Sequence, residues 1–70
     1  MMEMIHAGKC LKYAQELKGV KSMDLAKITK TSPQQVLRWR SNSNMKLHTI
    51  QLLALSLDIT INDFISYHYK

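Results

Sequence analysis

The sequence predicts an all-α fold of five short helices, and three observations predict it. Apolar residues recur at spacings of three and four along most of the chain, nothing alternates with period two, and Ser32-Pro33-Gln34-Gln35 is a strong helix start. With 70 residues the chain is expected to form one domain that buries only about 60% of the surface its unfolded form exposes. Apolar residues make up 46% of it, an ordinary globular share. A lone cysteine, Cys10, allows no intramolecular disulfide, so the fold must rest on apolar packing.

The first helix is expected from Ala7 to Leu17, where Ala7, Cys10, Leu11, Ala14 and Leu17 form one apolar stripe, with Gly19 ending it. A second begins after Ser22, a residue type suited to take an orphan backbone N–H as N-cap, carries Met23, Leu25, Ala26 and Ile28, and closes by Lys30. The third opens with Ser32 as N-cap, Pro33 at the first helical position, where its missing N–H costs nothing, and Gln35 three residues on, the pattern of a capping box. Val36 and Trp39 face inward from it, while Gln34, Leu37, Arg38 and Ser41 face out. Ser41-Asn42-Ser43-Asn44 reads as a loop, followed by a fourth helix over Leu47 to Leu57 and a fifth over Ile61 to Tyr67 with Thr60 as its N-cap.

Several function classes are disfavoured. The most apolar stretch, Ile50 to Leu57, contains Gln51 and Ser56 and is far shorter than the roughly 18 residues of a membrane span. Met1 to Ile5 carries Glu3 and lacks a signal-peptide pattern, so a cytoplasmic location is the expectation. His6, His48 and His68 lie far apart with neither metal nor triad spacing and read as ordinary surface residues. Cys10, on the stripe of the first helix, reads as a buried structural thiol. Neither a cofactor nor enzymatic activity is expected.

Charge is placed unevenly. Of the formal +5, the segment from Lys18 to Lys46 holds seven bases against one acid, net +6, and the rest three bases against four acids, net −1. A basic middle on a near-neutral frame is the footprint of a nucleic-acid binder, although a solvated lysine surface looks the same on charge alone.

Two helices joined through Thr29-Lys30-Thr31-Ser32, the second presenting amides and arginine outward, have the layout of a helix-turn-helix whose second helix enters the major groove. Asp24-Leu25-Ala26, Ser32, Val36 and Trp39, with Leu47-His48-Thr49-Ile50, Leu53-Ala54 and Leu57 to Ile65, resemble the Cro and cI-type phage repressor family in register. The resemblance implies a lambda-repressor-like fold and a transcriptional regulator, a Cro-like repressor of phage or prophage origin occupying double-stranded operator DNA as a homodimer. There are departures. Lys30 stands where the family usually has a glycine in left-handed conformation, and Thr29 where it packs an aliphatic residue, whose contact Ile28 is expected to take over in part. Gln15 and Arg40 stand where many members pair an arginine with a glutamate, so Arg40 is expected to be free for phosphate.

Glutamine and arginine can each place two hydrogen bonds on a purine edge, so Gln34 and Arg38 are the leading candidates for base reading. Leu37 and Pro33 offer apolar surface beside them, Leu37 being equally suited to packing under the following loop. Gln35 is first a helix stabiliser. Ser22, Lys21, Lys27, Arg40, Asn42, Asn44 and Lys46 are candidate phosphate neighbours. Trp39 and Met23 are expected in the core. Leu52 and Leu55 form a second apolar face on the fourth helix that the core does not need, which with Tyr67 suggests a dimer interface; the alternative is that Tyr67 and Tyr69 fold back over those leucines. A protein-interaction module of antirepressor or antitoxin-like type is the rival reading of the whole chain. No membrane and no small-molecule partner is expected.

Overall fold

The computed structural model describes residues 4–70. The described residues form five α-helices and no strand: α1 (Ala7–Lys18), α2 (Ser22–Thr29), α3 (Pro33–Ser41), α4 (Leu47–Ser56) and α5 (Ile61–Ser66), with a final 3-10 turn at Tyr67–Tyr69. The all-α reading of the sequence and its element order hold.

Side-chain caps start three of the helices. Ser32 Oγ accepts the Gln35 N–H at 3.2 Å, Thr60 Oγ1 accepts the Asp63 N–H at 3.0 Å, and the His6 ring, through Nδ1, accepts the Lys9 N–H at 3.1 Å. Three helices end on residues in left-handed conformation, which turn the chain sharply while their own N–H groups satisfy orphan carbonyls. Gly19 (φ 67°) closes α1, Lys30 (φ 58°) closes α2, and Asp58 (φ 57°) follows α4. Lys30 therefore does adopt the conformation that a glycine would reach at lower cost.

Each helix sends a fully buried side chain to one core: Cys10 and Leu11 from α1, Leu25 from α2, Val36 from α3, Leu53 from α4 and Phe64 from α5. Trp39, Ile50, Ile59, Ile61 and Tyr67 pack around them partly buried. The Cys10 thiol, fully buried, donates to the Ile65 carbonyl at 3.8 Å, the structural role expected of it.

Several expectations need correction. Leu17, Met23 and Ile28 are exposed, Met23 by 63%, because each lies at the edge of its helix's apolar stripe, where no other element arrives. Ile28 does not replace the contact that Thr29 lacks; instead Thr29 Oγ1 donates back to the Leu25 carbonyl at 2.9 Å and shares a 2.8 Å hydrogen bond with Thr31 Oγ1. Ser22 is the first residue of α2, not its cap: Lys21 takes the N-cap position without a side-chain hydrogen bond. Trp39 reaches the core but is only half-buried. His6 and His68 are not isolated surface residues, since His6 caps α1 and its backbone N–H donates to His68 Nδ1 at 3.1 Å.

The approach of α1 to α3 fixes how α3 is held. The Ala7 and Gly8 N–H groups, orphans of the first turn of α1, donate to the Ser43 and Asn42 carbonyls at 3.2 and 2.9 Å. Gly8 permits this because a Cβ there would run into the backbone at the end of α3, against the Arg40 carbonyl group and within 2.9 Å of the Trp39 oxygen.

Candidate nucleic-acid interface

Helices α2 and α3 meet through the left-handed turn at Lys30, and the Ser32 cap with Pro33 fixes where α3 starts. Val36 is fully buried, which determines the phase of α3 and turns Gln34, Leu37, Arg38 and Ser41 outward as one stripe at spacings of three, four and seven. All four are exposed, and so is Pro33; Gln35 is half-buried. Leu37 is 57% exposed, so it does not pack under the following loop. The Arg38 guanidinium has no ion pair or hydrogen bond among the described residues. Ser41 turns its hydroxyl back, donating to the Arg38 carbonyl at 3.1 Å.

Two helix starts differ from the other three. Lysine is the N-cap of both α2 (Lys21) and α4 (Lys46), and neither makes a side-chain cap hydrogen bond. A cation at the positive end of a helix dipole is unfavourable alone; α2 carries Asp24 in its first turn, whereas α4 has no acid there. Lys27 lies exposed on α2, and Asn42 and Asn44 lie on the loop before α4, where Asn42 Oδ1 accepts the Asn44 N–H at 2.9 Å and so helps to shape the loop.

Ser22 and Arg40 belong to a network centred on Gln15, which is only 3% exposed. Gln15 Oε1 accepts from Arg40 Nη1 at 3.1 Å, and Gln15 Nε2 donates to the Val20 carbonyl at 3.2 Å and to Ser22 Oγ at 3.4 Å, while Arg40 Nη1 also reaches Ser22 Oγ at 3.4 Å. Arg40 is thus not free, as the missing ion pair had suggested: an arginine and a glutamine join α1 and α3. With Ser22 Oγ accepting from both, its own proton is left to donate elsewhere. Gln15 was missed as a site residue because nothing local marks it, although it lies seven residues, two helical turns, beyond Gly8, the other α1 residue that meets α3.

The family model for the Cro/C1-type helix-turn-helix DNA-binding domain matches residues 11–69. The chain belongs to that family. Searches of curated proteins and of solved structures return no match. Membership supports DNA as a partner and a DNA-binding regulatory role, in a family that is typically non-enzymatic. Among the described residues no helix is long and apolar enough to cross a membrane.

The α4 face also takes definite form. Leu47, Leu52 and Leu55 are exposed, Leu55 by 72% and Leu52 by 37%. Helix α4 carries no Lys, Arg, Asp or Glu among its ten residues. Tyr67 is elsewhere, its ring 4.9 Å from that of Tyr13 on α1 and tilted at 46°, so the C-terminal turn packs on α1 rather than folding back over the leucines. Placing Tyr67 with Leu52 and Leu55 in one interface finds no support in this arrangement.

Proposed function

We propose that the protein is a sequence-specific transcriptional repressor that occupies operator DNA as a symmetric homodimer, with α3 in the major groove. The observation that carries this reading is the exposed stripe of α3, on which the Gln34 amide and the Arg38 guanidinium have no hydrogen-bond partner among the described residues. Arg38 places two N–H groups on the guanine O6/N7 edge, Gln34 takes the adenine N6/N7 edge, and Leu37 with Pro33 supplies apolar contact for a thymine methyl. The lysine-headed starts of α2 and α4 receive backbone phosphates, with Lys21, Ser22, Lys27, Asn42, Asn44 and Lys46 around them; these contacts fix register and carry no sequence information.

One reading helix covers too few base pairs for high specificity, and a two-fold dimer places a second about 34–36 Å away along the groove. The charge-free outer face of α4, through Leu52 and Leu55, is the self-complementary surface for it. In this reading the chain is one domain, works in the cytoplasm without cofactor or small-molecule ligand, and is of phage or prophage origin.

Selection from a random DNA pool tests the proposal, which expects a palindrome. Arg38→Ala then relaxes one base pair per half-site, at a cost of about 1–3 kcal/mol on the preferred sequence. An equal loss on every sequence would move Arg38 to the phosphate contacts. Leu52→Lys with Leu55→Glu leaves the fold intact and abolishes cooperative binding to full sites. Salt-insensitive capture of a partner protein without DNA binding would favour the protein-interaction module instead.

A further inference from the structure

The Gln15 network leaves one charge unbalanced. Arg40 is half-buried between α1 and α2, and both of its side-chain partners, the Gln15 amide oxygen and the Ser22 hydroxyl, are neutral. It has no ion pair among the described residues. A guanidinium cannot shed its charge in a protein, and withdrawing it partly from water without a carboxylate is unfavourable unless some other negative group approaches. The negative group cannot be the nearest buried side chain, because Gln15 is an amide where a glutamate would have closed the pair.

The direction of the charge is also fixed. Arg40 Nη1 lies 3.4 Å from Ser22 Oγ, the first residue of α2, next in sequence to the exposed Lys21. The Ser22 hydroxyl accepts from both Gln15 and Arg40 at 3.4 Å, which leaves its own proton to donate to a third group. A half-buried hydroxyl with a proton still to donate, backed by an unneutralised guanidinium, is complementary to a phosphodiester oxygen.

We propose that Arg40 is a DNA-affinity determinant acting through Ser22: its charge, left uncancelled because residue 15 is glutamine, holds a backbone phosphate at the start of α2. Arg40 is thus a positioning residue for Ser22 and an electrostatic partner of the phosphate at once, and Gln15 sets the strength of both effects. The inference rests on the reading that the start of α2 faces DNA.

The decisive variant is Gln15→Glu, which keeps an oxygen for Arg40 and cancels its charge. Affinity is measured on random and selected DNA across a salt series, with folding checked by circular dichroism. One phosphate neutralised contributes about 0.9 to the slope of log affinity against log salt. The expected result is a slope shallower by that amount and a loss of about fivefold at 0.15 M salt, equal on both DNAs. A folded variant with unchanged slope would overturn the proposal and leave Arg40 a strut between helices. Should Gln15→Glu fail to fold, Arg40→Gln and Arg40→Lys serve: the first is expected to lose the slope increment and the second to keep it. An unchanged slope for Arg40→Gln overturns the proposal equally. Failure of the parent reading looks different, since Lys21→Ala, at the exposed start of α2, would then leave the slope unchanged as well, whereas it lowers the slope if that end faces DNA.

Discussion

Replacing Gly8 with alanine tests how the reading helix is held. A Cβ at residue 8 would run into the Arg40 carbonyl oxygen and sit 2.6 Å from its carbon, where ordinary contact begins at 3.4 Å, so the α1 and α3 backbones must part by more than about 0.8 Å. The obstacle is main chain and cannot rotate aside. Such overpacking costs about 1–3 kcal/mol. The Ala7 and Gly8 N–H bonds to the Ser43 and Asn42 carbonyls stretch with it, each worth about 0.5–1.5 kcal/mol. Against this, alanine favours a helix over glycine by about 0.5–1 kcal/mol. The expected net loss is about 2–4 kcal/mol, a large fraction of what so short a chain holds. Urea denaturation followed through Trp39 fluorescence measures it, as a lower midpoint at unchanged slope. A Gly8→Ala protein as stable as the parent would refute the close approach of α1 to α3.

Other expectations follow from the same geometry. Lys30→Gly relieves a left-handed backbone and is expected to stabilise by up to about 1 kcal/mol in the same denaturation assay. Trp39→Ala, at a half-buried site, is expected to cost about 1.5–3 kcal/mol, less than the 3–5 typical of a fully buried ring; normal melting with lost DNA binding would instead make Trp39 a base-stacking residue. Burial raises the Cys10 thiol above its ordinary value of 9.0. The folded state therefore keeps a proton that the unfolded chain gives up, and this contribution is complete below pH 9.0 and lost as pH rises through the raised value. Stability measured from pH 8 upward is expected to fall in that window, and Cys10→Ala to remove part of the fall.

Much of the fold was legible because its signals are local. The Ser32-Pro33 start and the Thr60 cap each act within three residues of themselves, and both caps are formed. The outward stripe of α3 was legible for a related reason, since burying Val36 leaves Gln34, Leu37 and Arg38 no other side. What the sequence concealed depends on partners far along the chain. Periodicity put Leu17 on the apolar stripe of α1, yet the space beyond Gly19 stays open, and it put Gln15 off the stripe, yet Arg40 arrives from 25 residues away to bury it. Ser22 looked like a cap because caps are read from residue type; in place it accepts from Gln15 and Arg40 instead. The leucines of α4 were legible as surplus, but only the docking of Tyr67 on Tyr13 shows that the C-terminal turn does not shelter them.

The hydrogen bond from the His6 backbone to the His68 ring joins residues 62 positions apart. His6 precedes α1, so no helical carbonyl shares its amide proton. That proton exchanges with deuterium from solvent only when the two segments part. A single amide resonance thus acts as a clock for how often the 3-10 turn leaves α1, whether DNA is present or not, and one variant, His68→Ala, would set its unprotected rate.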